Sequence, residues 1–160
     1  MNDLNKSAAS AASARGAELD AAETDALARQ MGIVRLHNGE VLVREGEERR
    51  TLFLLADGRL NVCKTVGESE ETVYQMRIGE CAGTRAFVDG SARKALLCSD
   101  GDSTVLTLEP EDFEALIETH PGLVYKVMRA IFRITHCNLM RANLESAELR
   151  NYLLKSGGRY

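Results

Sequence analysis

The chain has 160 residues, 44% of them hydrophobic and 28% charged, the composition of one soluble globular domain with a real core. Its net charge of -4 argues against a surface built for nucleic acid, which calls for a basic excess. No apolar run approaches the roughly 18 residues of a membrane span, and the first residues lack the apolar stretch of a signal peptide. A cytoplasmic protein with neither a membrane nor a direct nucleic-acid partner is the expectation.

Residues 1–17, dominated by Ala and Ser, read as a flexible leader with nothing large to bury. From Glu18 to Met31 the pattern becomes that of an amphipathic helix, with Leu19, Ala22, Ala26 or Leu27, and Met31 on one face. Asp20 and Glu23 form a capping pair at its start, and Gly32 ends it.

Over residues 33–108 turn dipeptides recur at short intervals: Asn38-Gly39, Asp57-Gly58, Asp89-Gly90 and Asp100-Gly101. Between them lie short runs suited to strands: 33–36, 40–44, 51–56, 59–65, 72–78, 95–99 and 104–108. In the fifth run Thr72, Tyr74, Met76 and Ile78 alternate with Val73, Gln75 and Arg77, the period of a half-buried strand. Seven or eight short antiparallel strands at this spacing predict a β-sandwich or jelly-roll barrel.

After Leu108 the pattern is helical. Pro110 suits a helix start, Phe113, Leu116 and Ile117 share a face, and His120-Pro121 ends that helix and opens another. After Gly122, through Lys155, there is neither proline nor glycine, and Val127, Ile131, Ile134, Cys137, Met140, Leu144, Ala147 and Leu154 recur at steps suited to one stripe. A helix of some 30 residues is about 45 Å long, more than a barrel of this size covers. Part of the stripe is therefore expected to face a second subunit, the alternative being a helix folded back on its own barrel. Residues 156–160 read as a frayed end.

The stretch from Gly79 to Ala95 holds Gly79, Gly83 and Gly90, a one- or two-turn helix over residues 84–88, and Arg93. Glycine lets a ligand approach the main chain, a helix start offers N–H donors, and arginine presents a planar fork to a phosphate. The same residues also suit plain β-turns. The four cysteines form no C-x-x-C pair and read as buried structural thiols. His37 and His120 read as turn and cap residues, and His136 as a surface or interface residue. No nucleophile with a base at usable spacing, no metal cluster and no paired carboxylates point to an enzyme.

In their order and spacing, Asn38 to Glu47 (N-G-E-V-L-V-R-E-G-E), Leu52 to Val62, Ile78 to Gly83 (I-G-E-C-A-G) and Ala92 to Ala95 (A-R-K-A), followed by helices, carry a resemblance. Over residues 18–155 the chain resembles the cyclic-nucleotide-binding domain of the CRP/FNR and protein-kinase regulatory-subunit superfamily. The resemblance implies an eight-stranded antiparallel jelly-roll barrel (33–108) with an N-terminal helix and two C-terminal helices (110–155), the last one long. It also implies that residues 79–95 are a phosphate-binding cassette, which in that family reads F-G-E-L-A, a turn, then R-[ST]-A.

Gly83, Ala86, Arg93 and Ala95 stand where that pattern has Gly, Ala, Arg and Ala. Ala82 replaces the aromatic residue, Thr84 the ribose-binding glutamate, Arg85 the leucine, and Lys94 the serine or threonine. The resemblance places the purine near His136 to Leu139, with Asn138 the candidate for an edge contact. The expected ligand-binding set is Gly83, Thr84, Arg85, Ala86, Arg93, Lys94, Ala95 and Asn138, with no catalytic or metal-binding residues. With five residues after Lys155, a helix-turn-helix is not expected, which disfavours a transcription factor.

Two functions follow. One is a stand-alone regulatory sensor that binds a small anion such as cAMP or cGMP and signals through its C-terminal helices as a homodimer joined by residues 122–155. The other is a ligand-independent dimerisation or protein-docking module whose Arg93 is satisfied by a protein carboxylate.

Overall fold

The computed structural model describes residues 19–157, so the expected leader and the last three residues lie outside the described residues. Helix α1 spans Ala21–Arg29. It starts there because Asp20 accepts from the Glu23 N–H at 2.8 Å while the Glu23 carboxylate accepts from the Asp20 N–H at 3.0 Å. The buried face carries Thr24, Ala26 and Leu27, and Ala22 is exposed, contrary to the expected face. The rotation has a partner: Lys126, far along the chain, reaches the Glu23 carboxylate at 2.7 Å.

Eight strands follow: β1 (Gly32–Leu36), β2 (Val41–Val43), β3 (Leu52–Asp57), β4 (Leu60–Val66), β5 (Ser69–Met76), β6 (Cys81–Ala82), β7 (Leu96–Ser99) and β8 (Ser103–Leu108). They form two four-stranded antiparallel sheets, ordered β1-β8-β3-β6 and β2-β7-β4-β5, the jelly-roll arrangement. The seven expected runs all become strands. The two-residue β6 was not foreseen, because it lies inside the glycine-rich stretch and pairs only with Phe53 and Leu54.

Strand β5 departs from its alternation. It starts at Ser69, buries only Met76, and leaves Ile78 outside the strand and exposed. Its place at the sheet edge, paired with β4 alone, explains this: period-two patterning buries a face only where a second layer covers it. Strand β3 is covered on both faces. Phe53 and Leu55 point between the sheets with Leu36, Val43, Leu60 and Val105, while Leu52 joins Leu27, Phe87, Leu108, Phe113 and Leu123 under the helices.

Between β6 and β7 the chain forms the short helix α2 (Thr84–Asp89), with Gly83 before it and Gly90 after it, both at positive φ. Beyond β8, the first expected C-terminal helix is broken at Ala115 into α3 (Pro110–Glu114) and α4 (Leu116–Thr119). Phe113 and Leu116 are buried as expected, but Ile117 is exposed because four-residue α4 presents one face only.

Helix α5 (Pro121–Ser156) has 36 residues and is about 54 Å long. Leu123, Val127, Ala130 and Ile131 are buried against the barrel, and Ile134 is half-buried. Every later residue of the expected stripe is exposed, so one half of the helix lies on the barrel and the other projects from it. The thiol expectation holds for Cys63, which is buried, and fails for Cys137, which is exposed on α5.

Candidate functional site

The loop between β2 and β3 fixes the cassette from behind. Gly46 donates to the Arg93 carbonyl at 2.8 Å, the Arg93 N–H donates to the Glu47 carbonyl at 3.0 Å, and Arg50 donates to the Phe87 carbonyl at 3.3 Å. These bonds hold both the end of α2 and the arginine that follows it. Phe87 in turn packs on Phe113, their ring centroids 5.5 Å apart, which joins α2 to α3.

Arg93 is buried, with 6% of its surface exposed. Its guanidinium donates to the Thr51 carbonyl and lies 4.8 Å from the centre of the Phe53 ring, while its Nε has no hydrogen-bond partner. Arg49 lies over the same ring at 5.3 Å. Burial first, and Arg49 second, push the Arg93 guanidinium below its ordinary pKa, and the carboxylates of Glu47 and Glu109 pull it back up. Among the described residues no carboxylate forms an ion pair with Arg93, which corrects the expectation that a protein carboxylate could satisfy it.

Gly83 is required by this arrangement. A Cβ there would sit 1.7 Å from Nη1 of Arg93, and the φ of +83° independently disfavours any side chain. Backbone and guanidinium thus meet at the floor of a cavity of about 210 Å³. Gly83, Thr84, Arg85 and Ala86 form one wall, and Arg93, Lys94 and Ala95 the other. The first N–H groups of α2 belong to the same wall, where a helix start leaves them without intrahelical partners.

Asn138 does not line that cavity. It lies on α5 in an adjoining chamber of about 560 Å³ that shares Val62, Ala82, Gly83 and Thr84 with the first, and its carbonyl oxygen accepts from Arg141 at 3.1 Å. Seven of the eight expected residues therefore share one cavity, and the eighth lies next door. In the chamber, buried Glu80 accepts from the Tyr74 hydroxyl at 2.8 Å and from the Arg77 N–H at 3.0 Å.

The substituted positions have distinct surroundings. Arg85 pairs with Asp89 at 3.4 Å across one helical turn, and hydrogen bonding from Ser91, with Arg85 adding less, holds the Asp89 carboxyl below its ordinary range. Lys94 is exposed. The Thr84 hydroxyl accepts from Thr135 of α5 at 3.4 Å, so the position that holds glutamate in the resembled pattern here touches the long helix. Away from the cavity, Cys98 faces Cys63 at 4.0 Å, and burial first, then Cys63, pushes its thiol pKa up to about 11.

Sequence reasoning missed Arg49, Thr51, Phe53 and Glu109. Their contacts span up to 58 residues of sequence, and no local motif marks them.

The sequence pattern of the cyclic nucleotide-binding domain matches residues 33–120, from β1 through α4. The chain belongs to the cyclic nucleotide-binding domain family. It is 30% identical over 88 residues to human cGMP-dependent protein kinase 2, which covers 53% of this chain and 12% of the kinase. It is 28% identical over 99 residues to the lysophospholipase nte1 of Aspergillus fumigatus, 61% of this chain and 6% of that protein. The chain thus spans only a small part of these relatives. A crystal structure of a cyclic nucleotide-binding domain from Methylobacillus flagellatus superposes with a TM-score of 0.72 at 20% identity, over 77% of this chain and 70% of the other. Domains of this family are typically ligand-sensing regulatory modules. Among the described residues no helix is long and apolar enough to cross a membrane.

Proposed function

We propose that this domain is a regulatory sensor in which a small anion, most simply a cyclic nucleotide, occupies the cavity over Arg93 and is reported through the C-terminal helices. The observation that carries this reading is the buried Arg93 itself: a cation on the cavity wall with an unpartnered Nε and no ion-paired carboxylate. Gly83, Thr84, Arg85, Ala86, Arg93, Lys94 and Ala95 would hold the phosphate side, and Asn138 the edge of the base. The human relative named for cGMP dependence supports the same ligand class. Regulation requires the ligand to favour one arrangement of the helices over another, and the contacts Thr84–Thr135 and Phe87–Phe113 supply routes from cavity to helices.

Thr84 tunes the affinity. A neutral hydroxyl replaces a carboxylate, whose hydrogen bond to a ribose is worth about 1.5–3 kcal/mol. Calorimetry and thermal shift against cAMP, cGMP, cyclic dinucleotides and AMP test the reading. Thr84→Glu is expected to strengthen cAMP binding by about ten- to a hundredfold and Arg93→Ala to abolish it. No response to any of these compounds would overturn the sensor reading.

A second reading, a ligand-independent dimerisation or docking module, is favoured by one specific observation. Along the outer side of α5, Tyr125 and Phe132 in the docked half and Leu139 and Leu153 beyond it are each at least 58% exposed, and the first three recur at seven-residue intervals. Such spacing suits a helix that pairs with a second copy. Under this reading Arg93→Ala leaves self-association intact, and a charge at Ile134 abolishes it.

A further inference from the structure

The register of the barrel places two residues that the cassette pattern does not contain directly behind Arg93. Leu52 of β3 pairs with Leu108 of β8, so the next rung brings Thr51 opposite Glu109, the residue that precedes Pro110 of α3. The Thr51 hydroxyl donates to both carboxylate oxygens of Glu109, at 2.8 and 2.9 Å, and accepts from Arg49 Nε at 3.1 Å. The carbonyl of the same Thr51 accepts from the Arg93 guanidinium. One residue therefore links the cassette arginine, a second arginine and the carboxylate at the foot of the C-terminal helices.

The charges at this locus are unequal. Arg49 and Arg93 both lie over the Phe53 ring, and Glu109 is the carboxylate hydrogen-bonded into their network through Thr51. Glu47 also bears on Arg93, but its carboxylate is exposed and engaged by the Arg44 N–H at 3.0 Å. Glu109 makes no direct pair with Arg93, but its charge bears on the guanidinium across Thr51. In a partly buried setting, where screening is weak, that field opposes the approach of an external phosphate to the same cation. A phosphate that bonds the buried, unpartnered Nε requires Arg93 to move from Thr51 toward the cavity, which leaves Thr51 and Glu109 to rearrange beside Pro110.

We propose that Glu109 is an internal counter-anion of the cassette: acting through Thr51, it positions Arg93 in its inward state and lowers the affinity of the cavity for external anions. This rests on the reading of the cavity as an anion site, and it makes Glu109 a positioning residue whose removal improves binding. A merely structural role predicts the opposite, because a weakened fold binds no better.

The test uses the full chain and three variants: Glu109→Gln, which keeps an acceptor for Thr51 but loses the charge, Arg93→Lys, and the double variant. Inorganic phosphate and cAMP are titrated into each by calorimetry, with the arginine Nε–H resonances followed by nitrogen-15 NMR. Glu109→Gln is expected to bind phosphate about three- to tenfold more tightly than the parent, with the Arg93 Nε–H signal shifting at lower concentrations. The gain should vanish in the double variant. If phosphate binding tightens while cAMP binds to no variant, the inference stands and the nucleotide reading falls. If cAMP binds the parent and Glu109→Gln binds it no better, the inference falls and the sensor reading stands. A gain that survives in the double variant does not act through Arg93 and overturns the inference, and absence of any binding by parent and variants overturns both.

Discussion

The two halves of α5 carry similar apolar patterns and meet different fates. Over its first eleven residues Leu123, Val127, Ala130 and Ile131 are buried under the barrel's helical face, while Leu139, Leu144, Leu149 and Leu154 are 58–70% exposed. The difference lies in what stands opposite. The first half faces Leu52, Leu108 and Phe113, and among the described residues none of the four later leucines belongs to a buried cluster. An amphipathic stripe states that a helix wants a partner, and only the fold states whether the partner is in the same chain.

Truncation of the docked half should have the largest effect. Leu123, 1% exposed, has no room for solvent to compensate, so Leu123→Ala is expected to cost about 3 kcal/mol in urea unfolding. The same truncation at Leu149 should cost the dilute chain less than about 0.5 kcal/mol. Equal losses at the two positions would break the distinction between the halves.

A charge on the projecting half should act on assembly alone. Leu139→Glu is expected to leave unfolding of the dilute chain within about 0.5 kcal/mol of the parent while shifting its sedimentation from dimer to monomer at micromolar concentration. A parent chain that sediments as a monomer would remove the second copy as the occupant of that face.

The smallest effect concerns pH and sharpens how the first half is anchored. The hydrogen bond from Lys126, then that from the Asp20 N–H, holds the Glu23 carboxyl below its ordinary value of 4.5. A depressed carboxyl adds stability that is fully present above that ordinary value and disappears as pH falls through the lower folded one. Acid should therefore loosen the contact between α1 and α5. Lys126→Met is expected to flatten the fall of the urea midpoint between pH 6 and about pH 3, and an unchanged slope would show that the pair contributes nothing.

Much of the barrel was legible because its signals are local. Turn dipeptides such as Asn38-Gly39 and Asp57-Gly58 mark where the chain must reverse, and the short runs between them became strands within a few residues of their expected limits. The Asp20–Glu23 pair was legible for the same reason, since three residues of sequence contain the whole device. The cassette was legible through Gly83 and Arg93, whose contact depends on the absence of one Cβ. What surrounds Arg93 was not, because Thr51 and Glu109 meet it only through strand register, and the exposure of Ile78 and Ile117 follows from edge position and helix length rather than from pattern.

By itself the sequence determined the order of strands and turns, the glycine that admits a guanidinium, the family to which the chain belongs and the length of the last helix. These are properties of neighbours along the chain, set by backbone conformation and periodicity. Tertiary structure alone decided that Arg93 lies inward on the Thr51 carbonyl and Phe53, that Glu109 stands behind it, and that α5 leaves the barrel after Ile134. Each depends on which distant surfaces the barrel brings together, and on where that barrel ends.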